Sequence, residues 1–359
     1  MKSRAALLLL LLSLQIHSAA QQEFTSRDFS RVDSFVTSIK YQDDFSKLIN
    51  DLTQPFPADI DKIRAIFRWI TNNISFDYRF VNQGRELNKP DCFGENDCPE
   101  QMMQWESNYL RKILRTKKAI AEGYAKLFKK MCDFCYMQCE AIPGYARTKP
   151  YQVGNNMGVN HWWNAVLIDR TWYYLDPTWA AGYCPEDEET GMLLRYVKDY
   201  KEYYWLQTFE PFSRNHYPQN GKWVEKPPIT KEQFFNRPHY FSVETLANIR
   251  EHTPRTGVIK LKKGDSIHFD FDYEKDIGLI QVNSNIFRNP PLWTTINTGR
   301  RKTKLVRDTW AEKKQQYIPF TRNGNNYQFD FVVKDNSLYY LELVFDYKPA
   351  IRYRVRVEN

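Results

Sequence analysis

Beyond residue 20 the chain contains no apolar run long enough to cross a bilayer, which needs about 20 such residues, so no integral membrane segment is expected. No cysteine follows Ala20 directly, so a lipid anchor is not indicated. There are no internal repeats and no low-complexity tracts, which excludes solenoid and linker-like readings. The one dense basic cluster, Arg300, Arg301, Lys302 and Lys304, has no groove-reading motif beside it. It reads as a solvated loop with at most an attraction to acidic surfaces, and no nucleic-acid partner is expected. The trio Cys132, Cys135 and Cys139 lacks a second paired ligand motif, so no metal and no cofactor are expected.

What is present begins at the compartment. Lys2 and Arg4 precede the apolar run Ala6 to Leu12, and small residues follow at Ser18, Ala19 and Ala20. That order is a secretory signal peptide cleaved after Ala20, and it predicts a secreted or periplasmic protein. Loss of Lys2 and Arg4 would leave +6 of the formal +8 charge. An exported chain with six cysteines favours disulfides. Cys92 and Cys98 bracket a short polar loop and read as a local staple. The 132–135–139 trio reads as one further disulfide, with the remaining thiol left for Cys184.

The length supports two domains, taken as residues 21–240 and 241–359. A helix is predicted over 58–73, where Ile60, Ile63, Phe67 and Ile70 recur at helical spacing. Residues 82–100 are polar, with Pro90, Gly94 and Pro99, and read as a loop. A second helix is predicted over 119–132, followed by strands at 138–146, 161–167 and 172–175. The last two form a hairpin around Asp169 and Arg170, although Arg170 suits poorly the positive φ of a primed turn. Residues 218–238 read as a proline-bearing connector. From about Thr253 the texture becomes all-β. Ile267, Phe269, Phe271 and Tyr273 alternate with polar residues, as do Tyr327, Phe329, Phe331 and Tyr353, Val355, Val357. Short alternating strands between glycine and asparagine turns indicate an immunoglobulin-like sandwich.

The chemistry centres on the hairpin. If Leu167 faces Trp172, then His161 faces Thr178 and Trp163 faces Asp176. His161 and Asp176 become diagonal neighbours, roughly 7–8 Å apart between Cβ atoms, close enough for a carboxylate to orient an imidazole. A thiol nucleophile gains from a helix N-terminus, where its pKa falls and free N–H groups can cradle an oxyanion. Here the head of the second helix carries Ala121.

Three blocks, Lys117-Lys118-Ala119-Ile120-Ala121-Glu122-Gly123-Tyr124-Ala125, His161-Trp162-Trp163-Asn164-Ala165-Val166 and Trp172-Tyr173-Tyr174-Leu175-Asp176-Pro177-Thr178-Trp179, resemble the core of the transglutaminase-like superfamily. The chain is most similar to its kyphoscoliosis-peptidase-like branch, which Asn215-His216-Tyr217-Pro218 and Ile229-Thr230-Lys231-Glu232-Gln233-Phe234 also resemble. The likeness covers roughly residues 55–240. It implies an α+β fold: a papain-like core, a helix on an antiparallel sheet, followed here by the all-β sandwich. It also implies a Cys, His, Asp triad acting on peptide or glutamine amides through a thioester. Carried onto this sequence, His161 is the base and Asp176 its orienter. The nucleophile position is Ala121, and the glycine expected two residues earlier is Ala119.

None of the remaining cysteines is placed to meet His161. Cys132 and Cys135 lie at least about 16 Å along a helix from Ala121. The expected function is therefore a non-catalytic module binding a peptide or protein in the remnant cleft, with Trp162, Trp163 and Glu122 as candidate contacts. The bland readings stay beside it. The His161–Asp176 pair can be purely structural, the tryptophans core and cleft wall, Glu122 a solvated helix residue, and His216 a packing residue. An active cysteine peptidase or transglutaminase using another thiol, and a structural component of a surface assembly, are the alternative functions.

Overall fold

The computed structural model describes residues 27–92, 98–225, 229–299 and 302–358; the expected signal peptide, Arg300 and Arg301 lie outside these residues. The chain groups into two compact units. One comprises the described residues through Tyr145 with Val159–Phe212 and Pro218–Glu225. The other comprises Ala146–Gly158, Ser213–Tyr217 and the described residues after Glu225.

The first unit opens with helices α1 (Ser30–Val36), α2 (Phe45–Thr53) and α3 (Asp59–Asn73), the last within a residue of its predicted span. Ile60, Ile63, Phe67 and Ile70 of α3 are all buried, as their spacing requires. The same helix buries Arg64, which the periodicity did not indicate. Its guanidinium bonds Asp33 and Glu202, each at 2.7 Å, and lies over Phe29 and Trp205 at 4.8 and 5.0 Å. A cation leaves water only with such partners.

Strand β1 (Ser75–Phe76) and helix α4 (Tyr78–Asn82) follow. Helix α5 (Cys98–Thr116) then fills a stretch expected to be a loop up to residue 100 and with no element expected beyond it. It buries only Leu110, Ile113 and Leu114. The Cys92–Cys98 disulfide staples its start. Lys117, at φ +56°, turns the chain into β2 (Lys118–Ala119), which pairs in parallel with β1. Helix α6 (Ala121–Phe134) begins at once. Gly123 is needed there, because a Cβ would meet the Tyr109 hydroxyl at 2.6 Å and Ile113 Cδ1 at 2.7 Å on α5.

Strands β3 (Cys139–Ala146), β4 (His161–Ile168) and β5 (Thr171–Leu175) form an antiparallel sheet in the order β5-β4-β3. Helix α6 packs on β4. A short helix, α7 (Pro177–Ala181), and the paired strands β6 (Gly182–Tyr183) and β7 (Val197–Lys198) complete the site region. Among the described residues no helix is long and apolar enough to cross a membrane.

The trio of cysteines does not form the expected disulfide: Cys132, Cys135, Cys139 and Cys184 are all free thiols. Cys135 sits at the C-terminal end of α6 with its thiol on the Thr53 hydroxyl (3.7 Å), while Cys132 and Cys139 are buried.

The second unit contains a β-sandwich. Later strands are β8 (His216–Pro218), β9 (His239–Tyr240), β10 (Ile249–Thr253), β11 (Val258–Lys262), β12 (Ser266–Tyr273) and β13 (Ile280–Ser284). They are followed by β14 (Trp293–Gly299), β15 (Lys302–Arg307), β16 (Thr321–Asn323), β17 (Asn326–Val332), β18 (Tyr340–Phe345) and β19 (Lys348–Glu358). One sheet runs β10-β12-β17-β16 and the other β11-β19-β18-β13, with β9 also on β19. The predicted alternation faces the core: Phe269 meets Tyr353 at 5.4 Å and Phe271 meets Phe345 at 5.1 Å between sheets. Lys302 and Lys304 lie exposed on β15, which pairs with β14.

His239 on β9 is buried, and burial together with Arg147 and Arg352 lowers its pKa to about 3. Burial also lowers that of His252 to about 4. The unfolded chain therefore binds protons that the folded unit refuses, from about pH 6.5 downward. Stability is complete above pH 6.5 and is lost as pH falls towards 4. Each histidine costs up to about 1.4 kcal/mol per pH unit in that window. Urea unfolding at pH 7.5 and pH 4.5 should show the lower midpoint in acid, and His239→Phe should flatten the difference. A pH-independent midpoint would refute this.

Candidate active site

The hairpin that carries the site has the expected register, with Leu167 opposite Trp172. Asp169 and Arg170 adopt φ of +48° and +66°, so the turn is primed in spite of the arginine. The strand twist that such a turn satisfies outweighs the local preference of one side chain.

The ladder ends at the Asn164–Leu175 pair, however, and Asp176 leaves it. His161 therefore does not face Thr178 across the hairpin. Asp176 becomes the N-cap of α7 with Pro177 at the first helical position, an Asp-Pro start that helix-capping rules recognise. Its two oxygens divide the work. Oδ1 accepts the N–H groups of Thr178 (2.8 Å) and Trp179 (3.0 Å), and Oδ2 meets His161 Nε2 at 2.7 Å. Asp176 is 0% and His161 7% exposed. An ionised carboxylate only accepts, so Nε2 is the donor and carries a proton. The imidazole also lies 4.9 Å from the Trp179 ring and 6.4 Å from that of Trp163.

Helix α6 packs against both β4 and α7, the elements that carry His161 and Asp176. Asn164 Nδ2 bonds the Ala125 carbonyl at 2.9 Å, and Tyr124 donates to the Ile74 carbonyl at 2.7 Å. These bonds fix the helix between sheet and α3. Ala121 is its first residue, buried, after an extended Ile120. A methyl group at this point supplies neither nucleophile nor proton.

The candidate binding residues separate. Trp163 is 1% exposed and packs on Phe212 at 5.8 Å. Trp162 is half-buried, 5.9 Å from the ammonium groups of both Lys89 and Lys126. Glu122 is not the solvated residue expected of it. It is 7% exposed and paired to Lys89 at 2.8 Å, because residues from the 83–92 segment cover the helix there. Lys126 in turn pairs with Glu106. Lys89, Lys126 and Trp105, which lies 5.8 Å from Lys89, were not identified from sequence. Lys126 carried a signal, four residues after Glu122 on one helix face. Lys89, in an irregular segment, carried none.

Three of the four free thiols are poorly suited to nucleophilic work. Burial raises the pKa of Cys132 and Cys135, and pushes that of Cys184 up to about 11. A thiol held protonated is a weak nucleophile.

Comparison with known proteins gives a match to the Transglutaminase-like superfamily over residues 46–177. The chain is 30% identical over 241 residues to kyphoscoliosis peptidase of Mus musculus, covering 66% of this chain and 33% of that protein. It is 26% identical over 256 residues to the Lim and transglutaminase domain protein ltd-1 of Caenorhabditis elegans, covering 64% and 32%. Hillarin of Drosophila melanogaster is 28% identical over 226 residues, covering 59% and 25%. The chain thus spans a third or less of the length of these relatives. Its matched region contains the helix, the hairpin and the His161–Asp176 pair in the order the resemblance implied. Residues 46–177 are a domain of the transglutaminase-like superfamily, in the branch of kyphoscoliosis peptidase.

Proposed function

We propose that the protein is an exported, non-catalytic member of this family that holds a peptide or protein segment in its remnant cleft. The observation that carries the reading is Ala121 at the head of α6, where the family resemblance calls for a thiol, beside an intact His161–Asp176 pair. A base and its orienter persist while the group they would activate is missing. The raised pKa values of Cys132, Cys135 and Cys184 speak against a substitute thiol. Half-buried Trp162, set among Lys89, Lys126 and Trp105, offers the amphipathic surface on which peptide contacts concentrate. The segment from Lys2 to Ala20 supports export.

The test is fluorescence polarisation with a labelled glutamine-containing peptide, together with assays for peptide cleavage, ammonia release and amine incorporation. The expected result is saturable binding without turnover, weakened about tenfold or more by Trp162→Ala. Turnover by the unaltered protein, abolished in step with alkylation of one cysteine, would establish the alternative of an active enzyme.

A further inference from the structure

The outer face of β19 carries Arg352, Arg354 and Arg356 at alternate positions, while Tyr353 and Val355 point into the sandwich. The neighbouring strand β11 pairs in parallel, setting Lys260 opposite Arg356 and Lys262 opposite Glu358. The second of these pairs is complementary. The first places two cations side by side, an arrangement that destabilises a sheet unless an anion intervenes.

The three arginines are not equally engaged. Arg352 is bound to Glu342 at 2.7 Å and stacked on Tyr340 at 3.7 Å, so its charge is answered internally. Arg354 bonds Asn155 Oδ1 at 2.8 Å, a neutral partner that orients the guanidinium without neutralising it. Among the described residues neither Arg354, Arg356 nor Lys260 has a carboxylate partner. Lys260 and Arg356 line a cavity of about 610 Å³, with Lys231, Phe235 and one carboxylate, Glu232, on its wall. A second cavity of about 500 Å³ lies beside it and shares Arg356. There Arg354 stands with Tyr151 and Tyr339, which are 68% and 59% exposed. The first cavity is lined mainly by charged and polar side chains, and the second joins arginines to the two tyrosines.

We propose that this face binds an extended acidic peptide whose carboxylates recur at every second residue. The spacing selects this occupant. Alternate side chains on a strand stand about 6.6–6.8 Å apart, so Arg354 and Arg356 present cations at the interval at which an extended peptide presents its own alternate side chains. The guanidinium fork accepts a carboxylate through two parallel bonds. Lys260, one strand away, widens the positive field to the breadth of a peptide lying along β19. The proposal does not rest on the cleft reading, because every residue it uses belongs to the second unit.

The test is fluorescence anisotropy of a labelled alternating Glu-Thr peptide with the full chain, at low and at high salt. Binding is expected to weaken with salt. The double variant Lys260→Glu, Arg356→Glu should weaken it at least about tenfold, and the neutral Lys260→Met, Arg356→Met to a lesser degree. Both positions are exposed, so an unchanged thermal midpoint confirms that the variants fold. A peptide of equal charge with its glutamates in one block should bind several-fold more weakly. Equal affinity for the two peptides would overturn the proposal, as would an unaffected double variant. So would binding of a sulfated polysaccharide without binding of the peptide.

Discussion

If the non-catalytic reading proposed above holds, replacing Ala121 by cysteine should switch on hydrolysis of peptide amides, or incorporation of amines at glutamine. The gain should be large, because loss of a catalytic nucleophile costs on the order of 10⁶ in turnover. The residue opens α6, where the first N–H groups lack intrahelical partners and the helix dipole lowers a thiol's pKa. N–H groups at such a helix start can also stabilise an oxyanion. His161 already has its Nε2 held by Asp176 at 2.7 Å, the pairing of base and orienter that such a thiol would use. Measured side by side, activity confined to Ala121→Cys would mark the natural chain as a disarmed enzyme with its cleft preserved. Activity of equal size in the unaltered protein would refute the non-catalytic reading. A folded but silent Ala121→Cys would show that the cleft has drifted past recovery, leaving the pair a structural role.

The second large effect concerns Asp176. This buried carboxylate caps α7 through two N–H bonds and holds His161 through a third contact. Asp176→Ala removes the cap, worth about 1 kcal/mol, and the acceptor that His161 Nε2 meets. A buried donor that loses its acceptor costs about 1–3 kcal/mol more, together a large part of the 5–15 kcal/mol that typically holds a domain together. For a domain of this size the melting temperature should fall by roughly 10 °C. Asp176→Asn separates the two roles, because an amide still caps a helix but carries no charge. It should recover part of the stability, and in an active Ala121→Cys background it should still lower turnover by orders of magnitude. A melting temperature within a degree of the parent for Asp176→Ala would show that the carboxylate does not hold the hairpin.

These expectations were partly legible before any coordinates. Hairpin register follows from turn length and a two-residue period, so Leu167 opposite Trp172 and the meeting of His161 with Asp176 could be read off the chain. The path of that meeting could not be read by counting along a strand, because a cap and a proline end the strand at Leu175. The apolar stripe of α3 was equally clear. Helix α5 was not, since a surface helix burying three residues has too narrow a stripe to stand out from a loop rich in polar residues. Arg64 and Glu122 were hidden for another reason. Charged residues are expected in water, and nothing local to either position announces the distant partners, Asp33, Glu202 and Lys89, that make burial tolerable.

The interleaving of the two units bears on how the protein is made. Residues 147–158 lie between β3 and β4, strands whose pairing completes early in the chain, yet they belong to the second unit. Arg147 donates to the carbonyls of Phe234, Arg237 and Pro238, and Asn155 receives Arg354. A ribosome adds about 5–20 residues each second, so Asn155 waits some ten seconds or more for Arg354 to be added. During synthesis the β4–β5 hairpin of the first unit can close before the residues that bond Arg147 and Asn155 exist, so those bonds can form only later.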